Sequence, residues 1–264
     1  CVKSRAVNEM RSSLRRDAFA VLLLLAICTA LFADVLFLGR HFYIRDLTRF
    51  YFPTKQVIRE ILLSGDFPSW NPNYSAGQPL AANPEYEVFY PPQWLILLPS
   101  YDFGYRLHIV VHVYIAAIGM YLLLRSMRLK IPGAFFGGLV FGLGGIVMSN
   151  INLLPILFCA VWMPLIFLFA LRFLIAPNLR DFALAALFAG LQMLPMEPTT
   201  LVQTWFLIGC YALYRAWYDH KSRIRGAIRN TMLVAFLLVA GIAVGGVQLI
   251  PAFDHAADSS RARK

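Results

Sequence analysis

Seven long apolar runs decide what this chain can fold into. They cover residues 18–38, 107–124, 132–154, 156–176, 182–196, 199–217 and 231–253, separated by basic or turn-rich connectors. A run of about 21 residues at about 1.5 Å per residue crosses the roughly 30 Å hydrocarbon core of a bilayer. Inside lipid every backbone polar group needs an internal partner, and a helix supplies one. The fifth run is the shortest: about 15 residues reach only about 22 Å before Glu197-Pro198 intervenes, which reads as a tilted half of a re-entrant pair. With 59% apolar and only 14% charged residues, the chain is far from a soluble domain, where about a quarter are charged. The expected fold is an all-α polytopic membrane protein of about seven transmembrane helices, with residues 1–264 forming a single transmembrane domain.

The formal charge of +10 would suggest nucleic acid in a soluble protein. Here the basic residues sit between apolar runs rather than on one polar face, so they read as topology signals and nucleic acid is not an expected partner. With the N-terminus in the cytoplasm, 15 of the 24 Lys and Arg fall in inside segments. The first run follows Arg15-Arg16 like a signal-peptide core. It is long enough to span and lacks a small-residue cleavage pattern, so it is expected to stay as a helix.

That orientation puts residues 39–92 outside, as a long first exterior loop. It holds Tyr43-Ile44-Arg45-Asp46-Leu47-Thr48-Arg49-Phe50-Tyr51, Trp70-Asn71-Pro72, Gly77-Gln78-Pro79 and Asn83-Pro84-Glu85-Tyr86-Glu87-Val88-Phe89-Tyr90-Pro91. A loop this long and this aromatic is expected to fold and to carry chemistry. From Thr54 to Leu63, Val57, Ile58, Ile61 and Leu62 share a side while Lys55, Arg59 and Glu60 lie mainly off it, predicting a juxtamembrane amphipathic helix on the outer leaflet that ends at Ser64-Gly65.

Asp46 then stands at the membrane–water boundary with Arg45 and Arg49 beside it, a set suited to a lipid phosphate. The plain alternative is an exposed Asp46–Arg49 ion pair worth at most about 1 kcal/mol. The aromatic residues of the loop fit an interface belt or a saccharide-stacking surface. Glu85 and Glu87 would share one face if extended. Glu197 belongs to a short turn at the outer end of the bundle or faces an internal cavity. His108 and His112, four apart, face one side of the second span without a third ligand. Cys28, Cys159 and Cys210 fall in apolar runs and read as packing residues, Cys1 is terminal, and no spacing suggests a metal site. The glycines of the third span, Gly133, Gly137, Gly138, Gly142, Gly144 and Gly145, and Gly241 and Gly245 of the seventh, read as close helix packing rather than a phosphate loop.

These residues together resemble the YfhO-like bacterial membrane protein family, among the GT-C-type glycosyltransferases that use polyprenyl-phosphate donors. The resemblance rests on one inward-to-outward helix followed by a loop with an early acidic residue near an aromatic, Asp46 and Tyr51, and an amphipathic helix ending at Gly65. It continues in Trp70-Asn71-Pro72, Gly77-Gln78-Pro79, Tyr90-Pro91-Pro92, Ala160-Val161-Trp162-Met163-Pro164-Leu165 and Gln248-Leu249-Ile250-Pro251. It implies a bacterial cytoplasmic-membrane enzyme that moves a sugar from a polyprenyl-phosphate-linked donor to an exterior glycan, lipid or protein acceptor.

By that pattern Asp46 is the catalytic or metal-assisting carboxylate, and Arg45, Arg49, Tyr51, Glu85 and Glu197 are substrate-binding positions. A divalent cation is an alternative to Arg or Lys for stabilising the departing phosphate, and the sequence names no cofactor. Family members usually continue with more helices; with Cys1 at its start, this chain reads as an N-terminal fragment, Met10 lying nearer a true start. A lipid or solute transporter, suggested by the Glu197-Pro198 break, and a non-catalytic assembly subunit are the alternatives.

Overall fold

The computed structural model describes residues 2–43, 45–74, 76–219 and 223–258, with side chains described in 13–43, 45–74, 76–218 and 223–257. Cys1, Ile44 of the loop segment, Lys221 of the inside basic set and the tail from Ser259 lie outside the described residues. In chain order the helices are α1 (Val2–Leu31), α2 (Ala33–Phe37), α3 (Phe52–Leu63), α4 (Tyr101–Ser126), α5 (Ile131–Gly142), α6 (Gly145–Met148), α7 (Leu154–Ala160), α8 (Met163–Ile175), α9 (Leu179–Met193), α10 (Pro198–Asp219) and α11 (Arg223–Asp258). The one described sheet is a two-stranded hairpin, β1 (Trp70–Asn71) antiparallel to β2 (Gln78–Pro79).

Four stretches are long and apolar enough to cross a membrane: Tyr101–Ser126, Ile131–Met148, Leu154–Ile175 and Arg223–Ala257. They make the chain a helical membrane protein. The other three expected runs are also helical but differ in kind. In α1 the charges of Arg15, Arg16 and Asp17 sit within the helix, α9 has 15 residues, and α10 opens with Thr199, Thr200, Gln203 and Thr204.

Two expected continuous spans are broken, for local reasons. The third run stops at Leu143-Gly144, restarts for four residues as α6, and turns through Asn150 before α7. The fourth divides at Val161-Trp162, where Pro164 opens α8 in its first turn, since Pro cannot donate to the preceding turn. Two helix starts are capped by side chains: Ser100 Oγ accepts from the Phe103 amide of α4 at 3.3 Å, and Asn178 Oδ1 from the Asp181 amide of α9 at 2.9 Å.

Small residues four apart bring the helices together as expected. A Cβ on Gly142 of α5 would stand 2.7 Å from Ala117 Cβ of α4, and one on Gly138 2.8 Å from the Ala117 carbonyl oxygen. The α9–α11 contact repeats the device, with Gly241 against Ala189, Gly245 against Met193 and Gly190 against Val244. Asp17 ties α1 to α4: Arg125 donates to its two oxygens at 2.6 and 3.1 Å and Tyr121 donates at 2.5 Å.

A Cβ at Gly190 would lie 2.2 Å from Val244 Cγ1, whereas one at Gly209 of α10 meets nothing within 4 Å. Gly190→Ala is therefore expected to destabilise by about 1–3 kcal/mol through overpacking. Gly209→Ala should be neutral or stabilising by up to about 1 kcal/mol. Thermal unfolding of the detergent-solubilised protein checks both.

Candidate functional site

The segment between α2 and α4 folds into a cap with its own small core of Ile58, Leu80, Ala81, Tyr86, Val88 and Ile96. Its first piece leaves α2 at Gly39, whose φ of +70° turns the chain away. Arg45 follows at φ +42°, a conformation uncommon outside glycine. Residues Leu47–Tyr51 then make one π turn that runs straight into α3. Pro53 accounts for the wide turn: it has no N–H, so the ladder is carried instead by the Phe52 amide, which donates to the Leu47 carbonyl. Two tyrosines four apart on α4 hold this turn, Tyr105 donating to the Leu47 carbonyl at 3.1 Å and Tyr101 to the Phe52 carbonyl.

Asp46 lies at the start of this turn, exposed, between exposed Arg45 and Arg49. Its carboxylate makes no hydrogen bond or ion pair among the described residues, so the simple Asp46–Arg49 pair is not formed. Beside the turn is a hollow of about 320 Å³ lined by His41, Tyr43, Leu47, Thr48, Asp102 and Tyr105, among others. Asp102 supplies a second carboxylate that sequence reasoning missed, because it falls in the first turn of α4, where an acidic residue reads as a helix-start feature. Tyr51 is buried, and burial, followed by the negative charges of Glu85, Glu87 and Asp46, raises its hydroxyl above the usual tyrosine range. Tyr51 is thus where the fields of three of the loop's carboxylates meet.

Glu85 and Glu87 do not share a face. Pro84–Tyr86 forms a 3₁₀ turn capped by Asn83, and Glu87 follows at φ +58°, so Glu85 points out and Glu87 in. Helix α3 also differs from expectation. Lys55 is buried rather than off the apolar face, and it donates to Glu87 Oε2 at 2.7 Å and to Gln93 Oε1. The helix therefore packs into the cap, and Arg59 anchors it by donating to the carbonyls of Ile96 at 2.8 Å and Leu98 at 3.2 Å.

The quoted loop motifs have identifiable structural roles. Trp70-Asn71-Pro72 and Gly77-Gln78-Pro79 are the two sides of the hairpin. Gly77, at φ +93°, lies under the Trp70 ring, where a Cβ would come within 2.5 Å. Tyr90 reaches into the bundle, where its hydroxyl accepts from Trp162 Nε1 at 2.8 Å and sits 2.7 Å from His112 Nε2. His112 Nδ1 is 2.6 Å from the His108 carbonyl, which can only accept. A neutral imidazole therefore carries its proton on Nδ1, and Tyr90 donates to Nε2. Gln248 of α11 donates to the Ala81 carbonyl at 3.1 Å, fastening the last described helix to the cap.

Glu197 is elsewhere. Its two oxygens accept from the Thr199 and Thr200 amides at 3.0 and 2.7 Å, capping α10, and it borders a separate hollow of about 390 Å³ with Asn150, Thr200 and Gln203. Burial acts to raise its pKa, but the Thr200 and Thr199 hydrogen bonds outweigh it and the carboxyl lies below its ordinary value. Among the described residues no three of His, Cys, Asp and Glu cluster so as to hold a metal ion.

The architecture is that of a helical membrane protein whose first long loop forms a packed polar cap with a charged outer turn. Comparison with protein-family models, curated proteins and solved structures gave no match.

Burial pushes Glu87 up to about 7 from its ordinary 4.5, against the opposing pull of Lys55, and burial likewise lowers Lys55. Between those two values the unfolded chain releases the Glu87 proton while the folded one retains it. The contribution of Glu87 to stability is therefore present below pH 4.5 and lost as pH rises to about 7. The loss is on the order of 3 kcal/mol. The difference in unfolding midpoint between the native chain and Lys55→Met/Glu87→Met, measured at each pH, is expected to shift against the native chain as pH rises from about 5 to about 7.5.

Proposed function

We propose that this chain is a membrane glycosyltransferase of the YfhO-like, GT-C type, with seven spans and a cytoplasmic N-terminus in the bacterial cytoplasmic membrane. The cap would face the exterior. The observation that carries the reading is the outer turn. Arg45 and Asp46 lead into a π turn that carries Arg49 and is clasped by Tyr101 and Tyr105, Arg45 is in a strained conformation, and Asp46 serves no hydrogen bond or ion pair among the described residues. Strain and unspent charge on a rigid support are features of functional sites.

In this mechanism Asp46 takes the proton of an acceptor hydroxyl as its oxygen bonds to the anomeric carbon of the lipid-linked sugar. The bond from that carbon to the donor's phosphate oxygen breaks. Arg45 and Arg49 offset the charge left on the lipid phosphate. Tyr51 is buried beneath the turn, Glu85 points outward from the cap, and Glu197 lies apart at the start of α10. A divalent cation would require more ligands than Asp46 supplies.

Membranes carrying the chain should transfer labelled sugar from polyprenyl-phosphate donors. Asp46→Asn should lower transfer by at least about 100-fold at matched expression. Undiminished transfer in the variant removes Asp46 from the chemistry. The rival reading as a lipid or solute transporter draws on the hollow beside Glu197 and the Pro198 break. Transport, or an assembly role, would survive Asp46→Asn.

A further inference from the structure

At the end of the bundle away from the cap, α1 and the start of α5 enclose a groove of about 520 Å³. Arg15 and Arg16 stand at one end of it, over an apolar floor that includes Phe19, Leu23, Ile131 and Phe135. We propose that this groove binds one anionic phospholipid, with the phosphate at the two arginines and an acyl chain along the floor.

The dimensions fit such a ligand. Arg15, Phe19 and Leu23 are four apart and so lie along one side of α1, and eight residues cover about 12 Å, the reach from a head group into the upper acyl chain. Phe19 is 67% exposed, so the floor is open to lipid along its length. The field at the arginine end is positive from several sources. Besides the two guanidiniums, α5 begins there, with Lys130 before its first residue and Pro132 in its first turn, and the N-terminal end of a helix favours an anion.

The acidic residue nearest in sequence, Asp17, has its charge directed elsewhere, to Arg125, Tyr121 and Ser13. Among the described residues no carboxylate lines the groove to hold the ammonium of a zwitterionic head group, which favours a net-negative lipid. A basic pocket between spanning helices is a recurrent form of anionic-lipid site.

Native mass spectrometry of the full chain in detergent tests this, using phosphatidylglycerol and phosphatidylcholine with matched acyl chains. The expected result is about thirtyfold greater retention of the anionic lipid, from two basic contacts. The preference should vanish both in Arg15→Gln/Arg16→Gln and in Leu23→Trp, which fills the floor and leaves the arginines in place. Equal retention of the two lipids overturns the proposal. So does a preference that survives Leu23→Trp, since that reports surface charge rather than a groove. Displacement of the lipid by millimolar inorganic phosphate would mark a free-anion site and overturn it as well.

Discussion

The phenol of Tyr90 is the contact through which the loop and the bundle become one structure. It accepts from Trp162 between α7 and α8 and donates to His112 of α4, so a single buried oxygen joins the cap to two parts of the helical core. Both partners are themselves buried, and an unpaired polar group there would cost about 1–3 kcal/mol. Stacking adds shape to the hydrogen bonds: the Phe158 ring lies 5.6 Å from Tyr90 and 3.9 Å from His112. The cap can shift on the bundle only by breaking this set together, which is why the turn carrying Asp46 has a fixed platform.

The Lys55–Glu87 pair plays a different part. Its side chains are 1% and 0% exposed, so removing two charges from water offsets much of their attraction, and the pair is weak evidence for stability. What it does is specify. Glu87 must be turned inward by its positive φ, and Lys55 must sit on the inner face of α3, or either charge is left buried alone. The pair therefore selects one packing of α3 against the Pro84–Tyr86 turn.

The features legible in the sequence were those carried by local pattern. Helix α3 appears two residues earlier than the Thr54 start and ends at Leu63 as expected, with Ser64 at its cap. Gly137, Gly138 and Gly142 of α5 and Gly241 and Gly245 of α11 pack closely as expected, whereas Gly133 and Gly145 do not. What the pattern could not reveal depended on pairing over distance. Lys55 reads as off the apolar face until Glu87, 32 residues away, supplies its counter-charge. Glu85 and Glu87 separate because one residue adopts a left-handed conformation that alternation does not anticipate. Asp46, Arg45 and Arg49 were visible as a set, but the tyrosine clasp beneath them comes from α4, more than fifty residues later in the chain.

The hydrogen bond from Gln248 to Ala81 spans 167 residues. At a synthesis rate of about 5–20 residues per second, the cap's segment leaves the ribosome roughly ten to thirty seconds before its partner helix exists. During that interval Ala81 lacks its α11 donor, and the hairpin, α3 and the inward-turning Glu87 have only the earlier helices to dock against. The order of synthesis thus makes completion of the cap a late event, one that reports whether α11 has been inserted.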